Sequence, residues 1–108
     1  MDVRRVLYKP LFSDLQPAYF VAVVKAAKME FDQTDLALLV APAIENFTCA
    51  YVVAILRSGV PGWLRIQFVQ KLIPLCSDLK TNSSLILDEM SDWEKVSTER
   101  DFANALQA

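Results

Sequence analysis

Residues 36–56 read LALLVAPAIENFTCAYVVAIL, the most apolar stretch of the chain. It is long enough to cross a bilayer, since about 20 apolar residues span the hydrocarbon. Whether lipid or protein surrounds it decides the fold. Pro42 falls in its first third, and Glu45 and Asn46 sit near its middle. An acid at that depth costs roughly 2.5–3.5 kcal/mol even on the most forgiving insertion scale. Pro42 also biases Ala41 away from helix while suiting the first position of a new one. The stretch reads as the end of one helix and most of the next, and it belongs in a protein core.

The second of those helices is predicted from Pro42 to Ser58. Ile44, Phe47, Tyr51 and Ile55 line one side of it, and Cys49, Val52, Val53 and Leu56 another. A helix apolar nearly all round is surrounded by its neighbours. Arg57 suits the negative end of its dipole, and Gly59 the left-handed position after its last turn. Upstream, Asp2 is placed to cap a short helix, VRRVLYK. Ser13 and Gln16 have capping-box spacing and Pro17 suits a first turn, so a helix is expected to start between 14 and 17 and to run through PAYFVAVVKAAKME. Asp32 and Thr34 are N-caps for a short helix ending near Ala41.

Downstream, Pro61 opens GWLRIQFVQKLIPL, in which Pro74 is expected to kink or break the helix. DLKTNSS reads as a connection, with the next helix starting near Ser83 or Ser84. Ser91 with Glu94, and Thr98 with Asp101, repeat the capping-box spacing and divide the tail into two helical pieces. No segment alternates cleanly as a half-buried strand, and only two glycines are present. The fold class is all-α: a compact array or bundle of six to eight short helices around a central apolar helix near 42–58. Residues 1–108 are expected to form a single α-helical domain with an acidic helical tail at about 91–108.

Charge is unevenly spread. Residues 1–77 carry eight basic and six acidic side chains, whereas 78–108 carry three basic and seven acidic. The tail is expected to be a solvated surface or to meet basic groups, either of a partner or of the N-terminal part of the chain. With 54% hydrophobic and 22% charged residues, disorder is disfavoured.

The chain has no histidine, which removes Ser-His-Asp and Cys-His couples, His zinc ligands and imidazole proton transfer. No phosphate-cradling glycine motif is present. Asp32 with Asp35, and Asp88 with Asp92, are carboxylate pairs at helical spacing whose simplest role is capping and solubility. Cys49 and Cys76 form no CxxC pair and read as small core residues in a reducing, intracellular setting, cytoplasmic or nuclear. The expectation is a non-enzymatic protein with no cofactor, no metal and no membrane span.

Residues 46–90 resemble one and a half repeats of the Pumilio-type RNA-binding family. The resemblance lies in a helix with Tyr51-Val52-Val53, then Gly59, an Arg-containing helix ending in Leu72-Ile73, and Leu85-Ile86-Leu87. It implies an RNA-binding helical-repeat fragment. The family pattern Asn-Tyr-x-x-Gln stands here as Ala50-Tyr51-x-x-Ala54, which keeps a stacking ring and loses both hydrogen-bonding side chains. The second set stands as Ser84-Leu85-x-x-Asp88. A basic face for RNA draws on Arg4, Arg5, Lys25, Lys28, Arg57, Arg65 and Lys71.

The reading preferred to that alternative is a helical protein–protein interaction module, an adaptor or scaffold domain. Its partner is a protein or peptide, or a second copy in a homodimer. Its candidate contact residues are Trp63, Arg65, Trp93 and Phe102, because Trp and Arg are the usual interface anchors.

Overall fold

The computed structural model describes residues 13–107, and these residues form six α-helices and no strand. The helices are α1 (Pro17–Lys25), α2 (Glu30–Val40), α3 (Cys49–Arg57), α4 (Gly62–Leu72), α5 (Leu79–Leu87) and α6 (Asp92–Gln107). Short 3-10 turns, Ala41–Ala43 and Ile73–Leu75, extend α2 and α4. The helix expected over VRRVLYK lies outside the described residues.

These elements repeat. A nine-residue helix, a four-residue loop and an eleven-residue helix with its 3-10 turn occur in α1–α2 and again in α3–α4. The pair α5–α6 begins the same way and ends in a longer helix. Helices α1, α3 and α5 pack side by side as one layer, and α2, α4 and α6 as the other. The shortest extent of the molecule, 20 Å, is two helices thick.

The apolar core lies between the layers. Phe20, Val24, Val52, Leu56 and Ile86 come from one layer, and Leu64, Phe68, Leu72 and Phe102 from the other. At one end of this core Phe20 meets Phe47 and Tyr51 edge-on, at ring distances of 5.5 and 5.7 Å. Phe47 and Tyr51 stack at 5.0 Å.

The opening stretch is core, and no helix among the described residues is long and apolar enough to cross a membrane. Its internal boundary differs from the sequence expectation. The central helix starts at Cys49, not at Pro42, because Pro42 continues α2 through a 3-10 turn and Ile44 then becomes extended. The linker 44–48 is held instead by a bond from the Glu45 N–H to the Ser13 carbonyl, and Phe47 accepts one from the Ser77 N–H.

Gly59 takes the left-handed conformation after α3, with φ 87°. Pro74 sits in the 3-10 turn that breaks α4. DQTD lies inside α2, with Thr34 buried, so neither Asp32 nor Thr34 caps that helix. DLKTNSS is not a connection, since α5 already starts at Leu79. The tail is one helix. Ser91 and Glu94 form the expected capping box, with Ser91 N–H to Glu94 Oε1 at 2.9 Å and Glu94 N–H to Ser91 Oγ at 3.2 Å. Thr98 does not start a new helix, because its hydroxyl donates to the Glu94 carbonyl within α6.

Candidate functional site

The two tryptophans occupy the same place in successive repeats. Trp63 is the second residue of α4 and Trp93 the second residue of α6, and Phe31 holds that position in α2. Trp63 is 50% exposed and Trp93 69% exposed, so both indoles stand at one edge of the second layer, facing solvent. Val96, 72% exposed, extends this apolar surface along α6. An exposed aromatic is tolerable singly, and two at equivalent positions of adjacent helices, the Trp63–Trp93 ridge, are the candidate surface of this fold.

Arg65 fixes the ridge rather than lying on it. Its Nε donates to Glu94 Oε2 at 2.9 Å, and its other nitrogens donate to the carbonyls of Leu56 and Glu89. The guanidinium therefore ties the start of α4 to the end of α3, the loop before α6 and the first turn of α6. Its side chain is only 20% exposed and that of Glu94 only 10%, so the pair is shielded from solvent. A planar, five-donor group is the side chain suited to such a junction. Phe102, the fourth candidate, is buried on the inner side of α6, at the helix position that Val40 holds in α2 and Leu72 in α4. It forms part of the floor of a groove of about 320 Å³ with Leu87, Val96 and Leu106.

Charge links the repeats elsewhere too. Lys25, at the end of α1, donates to the Ser58 carbonyl at 2.6 Å, in the loop of the next repeat. Arg57, at the end of α3, pairs with Glu89 at 2.6 Å in the loop of the repeat after that. Two acids of the C-terminal part, Glu89 and Glu94, thus meet Arg57 and Arg65 of the preceding repeat.

Glu94 carries the strongest consequence of this arrangement. Burial acts to raise its pKa, but the hydrogen bonds from Arg65 and the Ser91 N–H, with the Arg65 charge, hold it below the ordinary 4.5. Its folded-state pKa is thus depressed. The stability it contributes is present above about pH 4.5 and is lost as pH falls through the lower folded value. In thermal melts taken at successively lower pH, the wild type is expected to lose Tm more steeply in that acid range than Glu94→Gln does. Parallel curves for the two proteins contradict this assignment.

Two further concavities lie away from the ridge. A groove of about 530 Å³ crosses the outer face of α1, α3 and α5, floored by Ala18, Ala50, Val53 and Ala54 and rimmed by Arg57, Asp88 and Glu89. Alanines recur along its floor. Of the positions compared above with the Pumilio-type pattern, Ala50, Ala54, Leu85 and Asp88 line this groove, but Tyr51 turns inward. Its ring is buried against Phe20 and Phe47, and its hydroxyl donates to the Leu15 carbonyl. A second, polar hollow of about 400 Å³ lies between Ser13, Asp14, Glu45 and Thr48.

The sequence reading missed the clamp role of Arg65 and the shared register of the tryptophans. A signal for the latter was available: AYFVAVVK at 18–25 and AYVVAILR at 50–57 share Ala, Tyr, Val and Ala at matching places and end in a basic residue.

Residues 11–106 match a protein family described as a domain of unknown function, DUF4476. The chain belongs to that family. No curated protein and no solved structure matches it.

Proposed function

We propose that this member of the DUF4476 family is a non-enzymatic protein-interaction module, and that the Trp63–Trp93 ridge is where a protein or peptide partner docks. The observation that carries this reading is the placement of both indoles. They are large apolar groups, held in solvent at equivalent positions of neighbouring helices whose starts are locked by Arg65 and Glu94. Rigid aromatic anchors lose little freedom on binding, and burying each removes substantial apolar area from water. The partner is expected to offer an apolar cleft able to take an indole edge. Catalysis has no part in the reading, in line with a chain that has no histidine.

Trp93→Ala is expected to weaken the partner by about 2 kcal/mol, roughly 30-fold in Kd. Its Tm should stay close to that of the wild type. The affinity is measured with partner isolated from nuclease-treated extract, and sedimentation of the protein alone tells whether that partner is a second copy. Trp63→Ala tests the other end of the ridge. Unchanged affinity in both variants, or loss of Tm together with affinity, defeats the proposal. Binding abolished by nuclease favours the RNA-binding alternative instead.

A further inference from the structure

We propose that Cys49 and Cys76 form a reversible disulfide that locks the first residue of α3 to the linker before α5. The two cysteines are free and 27 residues apart in sequence, yet the repeat architecture lays their segments side by side. Ser77 N–H donates to the Phe47 carbonyl at 2.9 Å, and Ser77 Oγ to Asn46 Oδ1 at 2.8 Å. Asp78 Oδ1 accepts from the Cys49 N–H at 2.8 Å, and Asp78 Oδ2 from Asn82 at 2.7 Å. Bonds therefore hold the backbone beside each cysteine, and the Cys76 thiol itself donates to the Leu72 carbonyl at 3.6 Å. A disulfide needs its two Cα atoms within about 7 Å. The bonds between 46–49 and 77–78 bring the two segments together, and the Cys76 thiol must leave the Leu72 carbonyl to turn toward Cys49.

The balance is that of thiol–disulfide exchange with a small disulfide, RSSR, such as oxidised glutathione. Cys76 is partly exposed and Cys49 is buried, so Cys76 meets the oxidant. Its thiolate attacks one sulfur of RSSR, breaking that S–S bond and releasing one RSH. Cys49 then attacks the Cys76 sulfur, forming the intramolecular bond and releasing the second RSH. The two protein thiols give up two electrons and two protons, and RSSR takes both. Reduced RSH reverses the sequence. Burial, with Asp78 alongside, pushes the Cys49 thiol up to about 12, and burial raises Cys76 as well. Little thiolate is present near neutrality, so the exchange is slow and quickens with rising pH.

The test uses the whole chain in glutathione redox buffers, under native conditions and again in denaturant. After acid quench, free thiols are alkylated and the intact mass is read. A bond that the fold favours must stabilise the fold by the same factor, because the two equilibria form one cycle. The disulfide's effective concentration should be at least about tenfold higher in the folded chain than in the denatured one. The product should be monomeric, lighter by two hydrogen atoms, and higher in Tm than the reduced protein. The Tm of Cys76→Ser should be insensitive to oxidised glutathione. The proposal is overturned if the effective concentration in the folded chain equals or falls below that in denaturant. It is equally overturned if Cys76 stops at a mixed glutathione disulfide with Cys49 free, or if the bond joins two copies. The comparison within the wild type stands even if Cys76→Ser fails to fold.

Discussion

Phe20→Ala is expected to cost about 4 kcal/mol of unfolding free energy. Phe20 is fully buried and is the ring on which both Phe47 and Tyr51 stand edge-on. Its removal leaves a cavity where α1, the linker before α3 and α3 itself meet, and edge-on aromatic contacts are lost beyond the area term. Domains of this size are typically stable by about 5–15 kcal/mol, so such a loss takes a large share. A thermal melt should show a fall of roughly 20 °C. Tyr51→Phe is the control, since it keeps the stacked ring and loses only the hydroxyl bond to Leu15, at about 1 kcal/mol. Similar losses for the two variants contradict the three-ring account.

Arg65→Ala is expected to cost about 3 kcal/mol, because breaking a shielded ion pair strands the partner charge. Glu94 is left without its guanidinium, and the carbonyls of Leu56 and Glu89 lose the donor they share. Arg65→Lys is expected to recover only part of this, since an ammonium cannot reach three acceptors with a planar fork. Removing Glu94 as well should cost less than the sum of the single losses, and denaturant unfolding of the four proteins gives that coupling directly. Additive losses, or a cost under about 1 kcal/mol for Arg65→Ala, place the arginine among ordinary surface pairs.

Several helix boundaries were legible in the sequence from proline, glycine or a capping box, though Pro42 opened no α-helix, Ser13 and Gln16 formed no side-chain cap, and the Thr98–Asp101 spacing marked no boundary. Pro17, Gly59, Pro74 and the Ser91–Glu94 box each did what its local chemistry dictates. The misplaced boundaries are those set by distant contacts. Residues 44–48 look helical by apolar spacing, but their backbone bonds go to Ser13 and Ser77. The first half of α5 is polar and carries no apolar period. It buries only Leu79 and Ile86, so it is helical through its packing on α3.

The candidate site was half legible. Trp63 and Trp93 stood out as large residues beside helix starts, and the structure leaves both in solvent. Arg65 looked like an anchor because it neighbours Trp63, whereas its acidic partner lies 29 residues on, beyond any local pattern. Phe102 looked free because the tail around it is polar. A single continuous α6 turns it inward, which the expected break at Thr98 hid.

The central claim is that the tryptophan ridge is solvent-facing in the free protein and covered by a partner. The most direct measurement is the fluorescence of single-tryptophan variants, Trp63→Phe leaving Trp93 and Trp93→Phe leaving Trp63. Each remaining indole is predicted to emit as a water-exposed group and to be readily quenched by acrylamide. On addition of the isolated partner, the emission should shift to the blue and the quenching should fall. Indoles already blue-shifted and shielded in the free monomer, or unchanged when the partner binds, contradict the account.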